Sequence, residues 1–257
     1  MSTNNESDKS YKASEIEFFS EQYGEQQYNP VGFRLRLMRD VKLLLREFAG
    51  ARPRRLLSVG CGQGEFELMI APYVDEVVAL DLSPEAIEIA QSNARKLGVG
   101  NVSYICQPFE ELEWEGRFDV IVCVAFLHHV PVGDMGSFLM QCHGHLEEGG
   151  FLYSSDPNIN GILRKIGRVV LGRNYDEYHT PDERELDTGE LCDALQRAGF
   201  SSVSLRYTDF FLIPASYILA RWPGIFMHAI AWVDRFLCSM PRLVASQAST
   251  FAAVSRK

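Results

Sequence analysis

Apolar and polar positions follow a helical period near the start of the chain. Residues 33–48 carry an apolar side chain at about every third or fourth position, and arginine and lysine fall largely on the other side. This pattern predicts an amphipathic helix that covers the start of a domain.

Short apolar runs in the middle of the chain predict five strands. Helical patterns and turn residues separate these runs, as expected for strands that neighbour helices in sequence. The predicted strands cover residues 56–60, 76–82, 102–107, 118–125 and 151–155. Strands that alternate with helices at this spacing predict a mostly parallel sheet with helices on both faces.

Capping residues predict where several helices begin and end. Ser83 precedes a helical pattern that Gly98 can end in a left-handed turn, and Thr188 and Gly199 bracket a second predicted helix at residues 190–198. A third helix is predicted over residues 135–146.

The last fifth of the sequence has a different pattern. Residues 202–210 and 249–257 both read as strands, and residues 211–243 between them are apolar and aromatic. Proline and charged residues interrupt this insert too often for a membrane span. We expect the insert to be a substrate lid, an interfacial helix pair or a dimer surface. We predict one domain over residues 31–257, preceded by a flexible or lid-forming segment at residues 1–30.

Charge and cysteine content narrow the function classes. The net charge of −9 argues against nucleic acid as a partner. Basic segments at residues 31–55 and 211–257 flank an acidic body, and they are either solvated faces or contacts for an anionic surface. No pair of the six cysteines has C-x-x-C spacing, and no secretory leader pattern is visible, so we expect a reducing, cytoplasmic location with peripheral membrane contact as an alternative.

Three glycines at every second position mark the first strand–helix junction. Gly60, Gly62 and Gly64 stand where a parallel sheet binds ligands, and glycine lets the backbone approach a ligand closely. Asp81 ends the next predicted strand, where a carboxylate can accept hydrogen bonds from both ribose hydroxyls. This combination predicts an adenosine-type cofactor, either a dinucleotide or S-adenosylmethionine. Glu65 stands where the dinucleotide fingerprint requires glycine or alanine, which disfavours a nicotinamide oxidoreductase.

The sequence resembles class I S-adenosylmethionine-dependent methyltransferases over residues 31–210. Four segments carry the resemblance, in the order expected of that family: SVGCGQGEF, VVALDLSPEAIEIAQSNA, GRFDVIVCVAFLHHV and HLEEGGFLYSSDPN. The resemblance implies a Rossmann-like sheet of seven strands, mostly parallel with an antiparallel last strand, and the insert between the last two strands. It also implies S-adenosylmethionine as cofactor and S-adenosylhomocysteine as product.

The same resemblance implies a set of cofactor-binding residues. The glycine loop would hold the methionine carboxylate, Asp81 the ribose, and apolar or backbone groups the adenine. The set is Gly60, Cys61, Gly62, Gly64, Asp81, Leu82, Gln107, Phe109 and Val124. The sequence departs from the family at Ser58 and Pro108, two positions that often carry an acid. These departures allow a catalytically silent, cofactor-binding scaffold as an alternative to an enzyme.

The candidate catalytic residues lie at the ends of the fourth and fifth strands. His128 and His129 follow the fourth strand and Asp156 ends the fifth, and a hydroxyl acceptor benefits from a general base. In some O-methyltransferases of the family, residues of these types act as base and orienting acid, while one histidine can serve only in packing. His143 and His145 differ in spacing from a metal motif, so we predict no metal.

The residues do not identify the methyl acceptor. A hydrophobic, aromatic or glycosylated small molecule fits, with O-methylation as the predicted reaction. A membrane-associated methyltransferase of quinone or lipid precursors is the alternative, and a homodimer through the insert is a further expectation.

Overall fold

The computed structural model describes residues 28–171 and 184–257, and it contains one seven-stranded sheet. In chain order the strands are β1 (Arg55–Val59), β2 (Glu76–Asp81), β3 (Val102–Cys106), β4 (Phe118–Val124), β5 (Leu146–Pro157), β6 (Ser202–Asp209) and β7 (Thr250–Arg256). The helices are α1 (Pro30–Glu47), α2 (Glu65–Ile70), α3 (Pro84–Leu97), α4 (Met135–His145), α5 (Ile162–Leu171), α6 (Thr188–Arg197), α7 (Leu212–Ile218), α8 (Ile225–Cys238) and α9 (Arg242–Ala245).

The strand order is β3-β2-β1-β4-β5-β7-β6, and the predicted fold class is confirmed. β1 to β5 pair in parallel, whereas β7 is antiparallel to both β5 and β6. From β1 the chain adds β2 and β3 on one side of the sheet and then β4 and β5 on the other, so β1 lies between β2 and β4. The carboxyl ends of β1 and β4 therefore flank the crevice where sheets of this kind bind ligands.

Helices cover both faces of the sheet and give two apolar cores. One core, on the side of α1 and α2, includes Leu44, Leu56 and Val120. The other, on the side of α4 and α6, includes Ile121 and Phe138. Residues adjacent in β4 therefore point to opposite cores, as strand geometry requires.

Among the differences between the predicted and observed helix and strand boundaries, those at α1, α6 and β5 have a clear structural description. Helix α1 begins at Pro30 because Asn29 caps it by accepting the N–H groups of Val31 and Gly32. Thr188 was predicted to cap α6, and this was wrong, since Asp187 accepts the N–H groups of Gly189 and Glu190. Strand β5 begins at Leu146 rather than residue 151, continuing through the double glycine.

The insert at residues 211–243 folds as α7, α8 and the start of α9. Gly32 of α1 lies directly against α7, because a Cβ there would come within 2.1 Å of the Ser216 Oγ atom. Asp234 of α8 accepts the N–H groups of Phe211 and Leu212, which begins α7. Across the two described ranges, no helix combines the length and the apolar character needed to cross a bilayer.

Candidate active site

The glycine loop after β1 has a backbone that only glycine adopts without strain. Gly60, Gly62 and Gly64 have φ values of 74°, 52° and 79°, all in the left-handed region. A Cβ on Gly60 would lie 2.3 Å from the Phe126 ring, and one on Gly64 would lie 2.5 Å from the Tyr104 hydroxyl. A Cβ on Gly62 would meet nothing within 4 Å, so the loop is packed at both ends and open in the middle.

Backbone hydrogen bonds fix the loop against β2. The N–H groups of Gly60 and Cys61 both donate to the Leu80 carbonyl, at 2.8 and 2.9 Å. The loop thus folds over the carboxyl end of β2 and brings Asp81 beside it.

Asp81 joins the glycine loop to the next turn. Its Oδ2 atom accepts the N–H of Gly62 at 2.7 Å, and its Oδ1 atom accepts the N–H of Ser83 at 2.9 Å. Burial raises the pKa of Asp81, and these two N–H groups oppose that shift. Each carboxylate oxygen has two acceptor sites, so each retains one for a ribose hydroxyl. The arrangement fits the ribose of an adenosine-type cofactor.

The remaining predicted cofactor residues reach the same edge of the sheet. The Gln107 N–H donates to the Asp81 carbonyl at 3.1 Å, and Leu82 and Val124 are half-buried at strand ends. The Phe109 ring is buried and packs 5.0 Å from the Phe138 ring. The ring therefore belongs to the core, and contact of these four residues with adenine stays a prediction.

Glu67 is a site-adjacent carboxylate that the sequence analysis missed. It belongs to α2, it is 1% exposed, and its Oε1 atom accepts the Ser58 hydroxyl at 2.5 Å. Burial raises the pKa of Glu67 to about 7, and the Ser58 hydrogen bond opposes the shift. Helix α2 therefore brings the Glu67 carboxylate against the Ser58 side chain of β1. The sequence did contain a signal for this buried carboxylate, because Glu67 stands between the apolar residues Phe66 and Leu68.

His128 and Asp156 form a buried pair at the ends of β4 and β5. The His128 Nδ1 atom lies 2.9 Å from the Asp156 Oδ1 atom, and the two side chains are 7% and 0% exposed. Burial raises the pKa of Asp156 to about 7, and the backbone N–H of His128 and the charge of His129 oppose the shift. The pairing of Val124 with Ser155 across β4 and β5 sets this contact.

A strained residue precedes the histidines. Ala125 has a φ of 55°, which is uncommon for a residue other than glycine, and its N–H donates to the Ser155 carbonyl at 2.8 Å. The turn that follows places the Phe126 ring against Gly60 and His128 against Asp156. Strain of this kind clusters at functional sites.

The other histidines make ring contacts. The His129 ring lies against the His128 ring, with centroids 4.1 Å apart. His143 packs edge-on against Phe200, and His145 packs against Phe109. Within residues 28–171 and 184–257, no group of three or more His, Cys, Asp and Glu side chains is arranged to hold a metal.

Tyr28, the first described residue, stacks on Phe33 with centroids 4.5 Å apart. Most of the predicted segment 1–30 lies outside the described residues.

Comparisons with known proteins agree with this geometry. A family described as a methyltransferase domain matches residues 56–150, which hold the glycine loop, Asp81 and both histidines. The ubiquinone biosynthesis O-methyltransferase of Bordetella avium (strain 197N) is 29% identical over 182 residues, which cover 68% of this chain and 74% of that protein. The enzyme of the same name from Xanthomonas euvesicatoria pv. vesicatoria (strain 85-10) is 38% identical over 131 residues, or 50% and 52% of the two chains. The match thus spans about half of the Xanthomonas protein.

A solved structure shares the fold. The magnesium protoporphyrin IX methyltransferase of Synechocystis PCC 6803, which was solved with bound S-adenosylhomocysteine, superposes with a TM-score of 0.58 and 16% identity. The superposition covers 88% of this chain and 84% of that one. With the glycine loop, the Asp81 carboxylate and the family match on the same residues, residues 56–150 form a methyltransferase domain, and the protein is an S-adenosylmethionine-dependent methyltransferase.

Proposed function

We propose that the enzyme methylates a hydroxyl group of a hydrophobic aromatic small molecule, a quinone precursor in particular, with His128 as general base. The buried His128–Asp156 pair carries the proposal. Two relatives that are named as ubiquinone biosynthesis O-methyltransferases support the substrate class.

The pair has the chemistry that a hydroxyl acceptor needs. Asp156 holds the proton of the His128 ring on Nδ1, which makes Nε2 the basic nitrogen. A base at Nε2 takes the hydroxyl proton as the oxygen attacks, and this raises the nucleophilicity of the oxygen. His129 supports the ring of His128 by packing.

Bound S-adenosylmethionine supplies an activated methyl group for in-line displacement. Gly60, Cys61, Gly62 and Gly64 hold its methionine end, and Asp81 binds its ribose. The residues that contact the adenine are Leu82, Gln107, Phe109 and Val124. Positioning dominates catalysis in such a transfer, so the rigid loop is as important as the base.

The test is a transfer assay with S-adenosylmethionine labelled in its methyl group. The protein is incubated with catechols of increasing alkyl or isoprenoid chain length, and products are identified by mass spectrometry and NMR. We expect label on a phenolic oxygen, with kcat/KM increasing with chain length. Label only on carbon or nitrogen acceptors, or none with any catechol, contradicts the proposal.

We propose as a second role that the insert places the enzyme on an anionic lipid surface. Helix α8 exposes Trp232 (71%) and Phe236 (58%) one turn apart, and α9 exposes Leu243 (83%). Arg235 and Arg242 are exposed beside them. An apolar stripe flanked by arginines suits a helix that lies in a membrane interface.

Vesicle co-sedimentation tests the lipid contact. We expect binding to vesicles with 30% phosphatidylglycerol that is stronger than binding to pure phosphatidylcholine vesicles. A Trp232→Ser/Phe236→Ser variant should lose at least tenfold in affinity, whereas Val132→Ser, at an exposed position elsewhere, should not. Unchanged lipid binding with a shift from dimer to monomer in sedimentation velocity would assign the face to a homodimer instead.

A further inference from the structure

Arg36 is a half-buried cation that makes no close ion pair within the described part of the chain. Arg39 on the same helix pairs with Asp209 at 2.7 Å, and Arg34 is exposed to solvent. The Arg36 Nε atom is buried and makes no hydrogen bond, and within residues 28–171 and 184–257 no carboxylate lies within ion-pair distance of its guanidinium. A partly buried charge without a partner is costly, so the site favours an anion.

The packing of α1 on β5 shows where Arg36 lies. Near the end of α1, the Phe48 ring is 6.4 Å from the Phe151 ring. Two turns earlier, Asp40 accepts the Tyr153 hydroxyl at 3.0 Å and the Ser155 hydroxyl at 3.2 Å. The helix therefore runs along β5 in the opposite direction, and its earlier residues lie nearer the carboxyl end of the strand.

Arg36 precedes Asp40 by one helical turn, which is about 6 Å along the axis. This step takes Arg36 past Ser155 toward the carboxyl end of β5, which holds Asp156. The positive charge of Arg36 accordingly opposes the raised pKa of Asp156, so the two groups interact. The guanidinium lies close to the proposed methyl-transfer site.

Arg36 also lines a small cavity between α1 and α7 whose walls are largely aromatic. Tyr28, Phe33 and Tyr217 contribute rings, and Ile213 closes one side. Tyr28 stacks on Phe33 at 4.5 Å and meets Tyr217 edge-on at 6.4 Å. The cavity has a volume of only about 20 Å³, so it admits a small polar group beside the guanidinium and not a whole ring.

We propose that Arg36 binds a carboxylate of the methyl acceptor, so that the substrate is an aromatic hydroxy acid held between this cavity and His128. The inference rests on the proposed function and specifies its substrate class. A guanidinium fork matches a carboxylate in geometry. One cation balances the single charge of a carboxylate, whereas a phosphate monoester carries about −1.5 to −2.

The test compares 3,4-dihydroxybenzoate with 4-methylcatechol, which has a methyl group in place of the carboxylate. Binding to the protein saturated with S-adenosylhomocysteine is measured by calorimetry, which does not depend on turnover. We expect the wild-type protein to bind the acid at least tenfold more tightly. Arg36→Gln should lose at least tenfold for the acid and less than twofold for 4-methylcatechol, with Arg36→Lys intermediate. Arg34→Gln, a change of the same residue type on the exposed side of α1, should retain the wild-type preference.

Equal affinity of the wild-type protein for the two compounds, including no detectable binding of either, overturns the inference. So does an Arg36→Gln protein that keeps the preference or weakens both compounds equally. Methyl transfer to each compound is then measured separately. An acid that binds through Arg36 but receives no methyl group leaves the carboxylate site standing and counts against the proposed function.

Discussion

The carboxylate of Asp156 contacts His128 twice: its Oδ1 atom lies 2.9 Å from the ring Nδ1 atom and accepts the backbone N–H of the same residue at 3.3 Å. One oxygen therefore fixes both the loop and the ring that the loop presents. His129 shares the loop, and its ring packs against the ring of His128 with centroids 4.1 Å apart. The two histidines are thus expected to differ in function.

Replacing His128 should separate its role from that of His129. We expect His128→Gln to lower kcat for catechol methylation by about a hundredfold, because general-base catalysis contributes on this order. The affinity for S-adenosylhomocysteine should stay within twofold. His129→Gln is the matched comparison and should lower kcat less than tenfold. Equal losses in the two variants would show that the Asp156 contact does not select the base.

Activity should depend on pH through Asp156. Burial raises the pKa of this carboxyl to about 7, so the group is protonated at lower pH and cannot accept the Nδ1 proton of His128. We expect kcat/KM to rise with pH, up to tenfold per pH unit below 7, and to level off above it. Asp156→Asn should lower the maximal kcat/KM at high pH and remove its increase with pH below 7. The measurement is a pH–rate profile from pH 5.5 to 8.5, and a flat wild-type profile would contradict the assignment.

The glycine loop offers a comparison between strain and steric clash. A Cβ on Gly60 would meet the Phe126 ring at 2.3 Å, whereas Gly62 and Gly50 also have positive φ but no atom within 4 Å of a Cβ. Gly60→Ala should therefore weaken S-adenosylhomocysteine binding at least a hundredfold, and Gly62→Ala should weaken it less. Gly50→Ala, far from the site, should cost about 1 kcal/mol of stability without changing affinity.

Calorimetry gives the affinities, and the double variant Gly60→Ala/Phe126→Ala tests the cause. Partial recovery of binding is expected if the clash dominates. If Gly60→Ala binds as well as Gly62→Ala, the contact with Phe126 is irrelevant to the loop.

Glu67 should make folding stability decrease with rising pH. Its folded-state pKa of about 7 lies above the unfolded value near 4.3, so folding favours the protonated acid. The stabilisation is complete below about pH 4 and is lost as pH rises through 7. Glu67→Gln should therefore be more stable than the wild-type protein at pH 8 by roughly 3–4 kcal/mol and nearly equal at pH 4.5.

Urea unfolding at both pH values measures this difference. Glu88→Gln, at an exposed position on α3, is the control and should change stability little at either pH. A Glu67→Gln protein that is less stable at pH 8 would mean that the ionised carboxylate, not its neutral form, supports the loop.

The periodic parts of the sequence predicted most of the fold. Parallel strands are buried on both faces, so their apolar runs are unmistakable, and the capping residues Ser83 and Gly98 were predicted correctly. The cap at Asp187 was missed because Thr188 is also a good capping residue, and only backbone geometry distinguishes the two.

The sequence predicted only those parts of the site whose residues are close together in the chain. The glycine loop and the histidine pair are local patterns. In contrast, Arg36 and Arg39 look alike on one basic helix face, and the partner that distinguishes them, Asp209, is far along the chain. Glu67 was missed because its burial also depends on residues distant in sequence, through the packing of α2 against β1 and β3.

The position of β7 between β5 and β6 has a consequence for the rate of folding. Phe151 pairs with Arg256, more than one hundred residues later, and β6 pairs within the sheet only through β7. This topology gives a high contact order, which slows folding because distant segments must meet before their contacts stabilise the chain. During synthesis, β6 emerges about 40 residues before β7, and its backbone lacks the strand that later separates it from β5. The helices of the insert are made in that interval, and α8 packs on β6 in the folded protein.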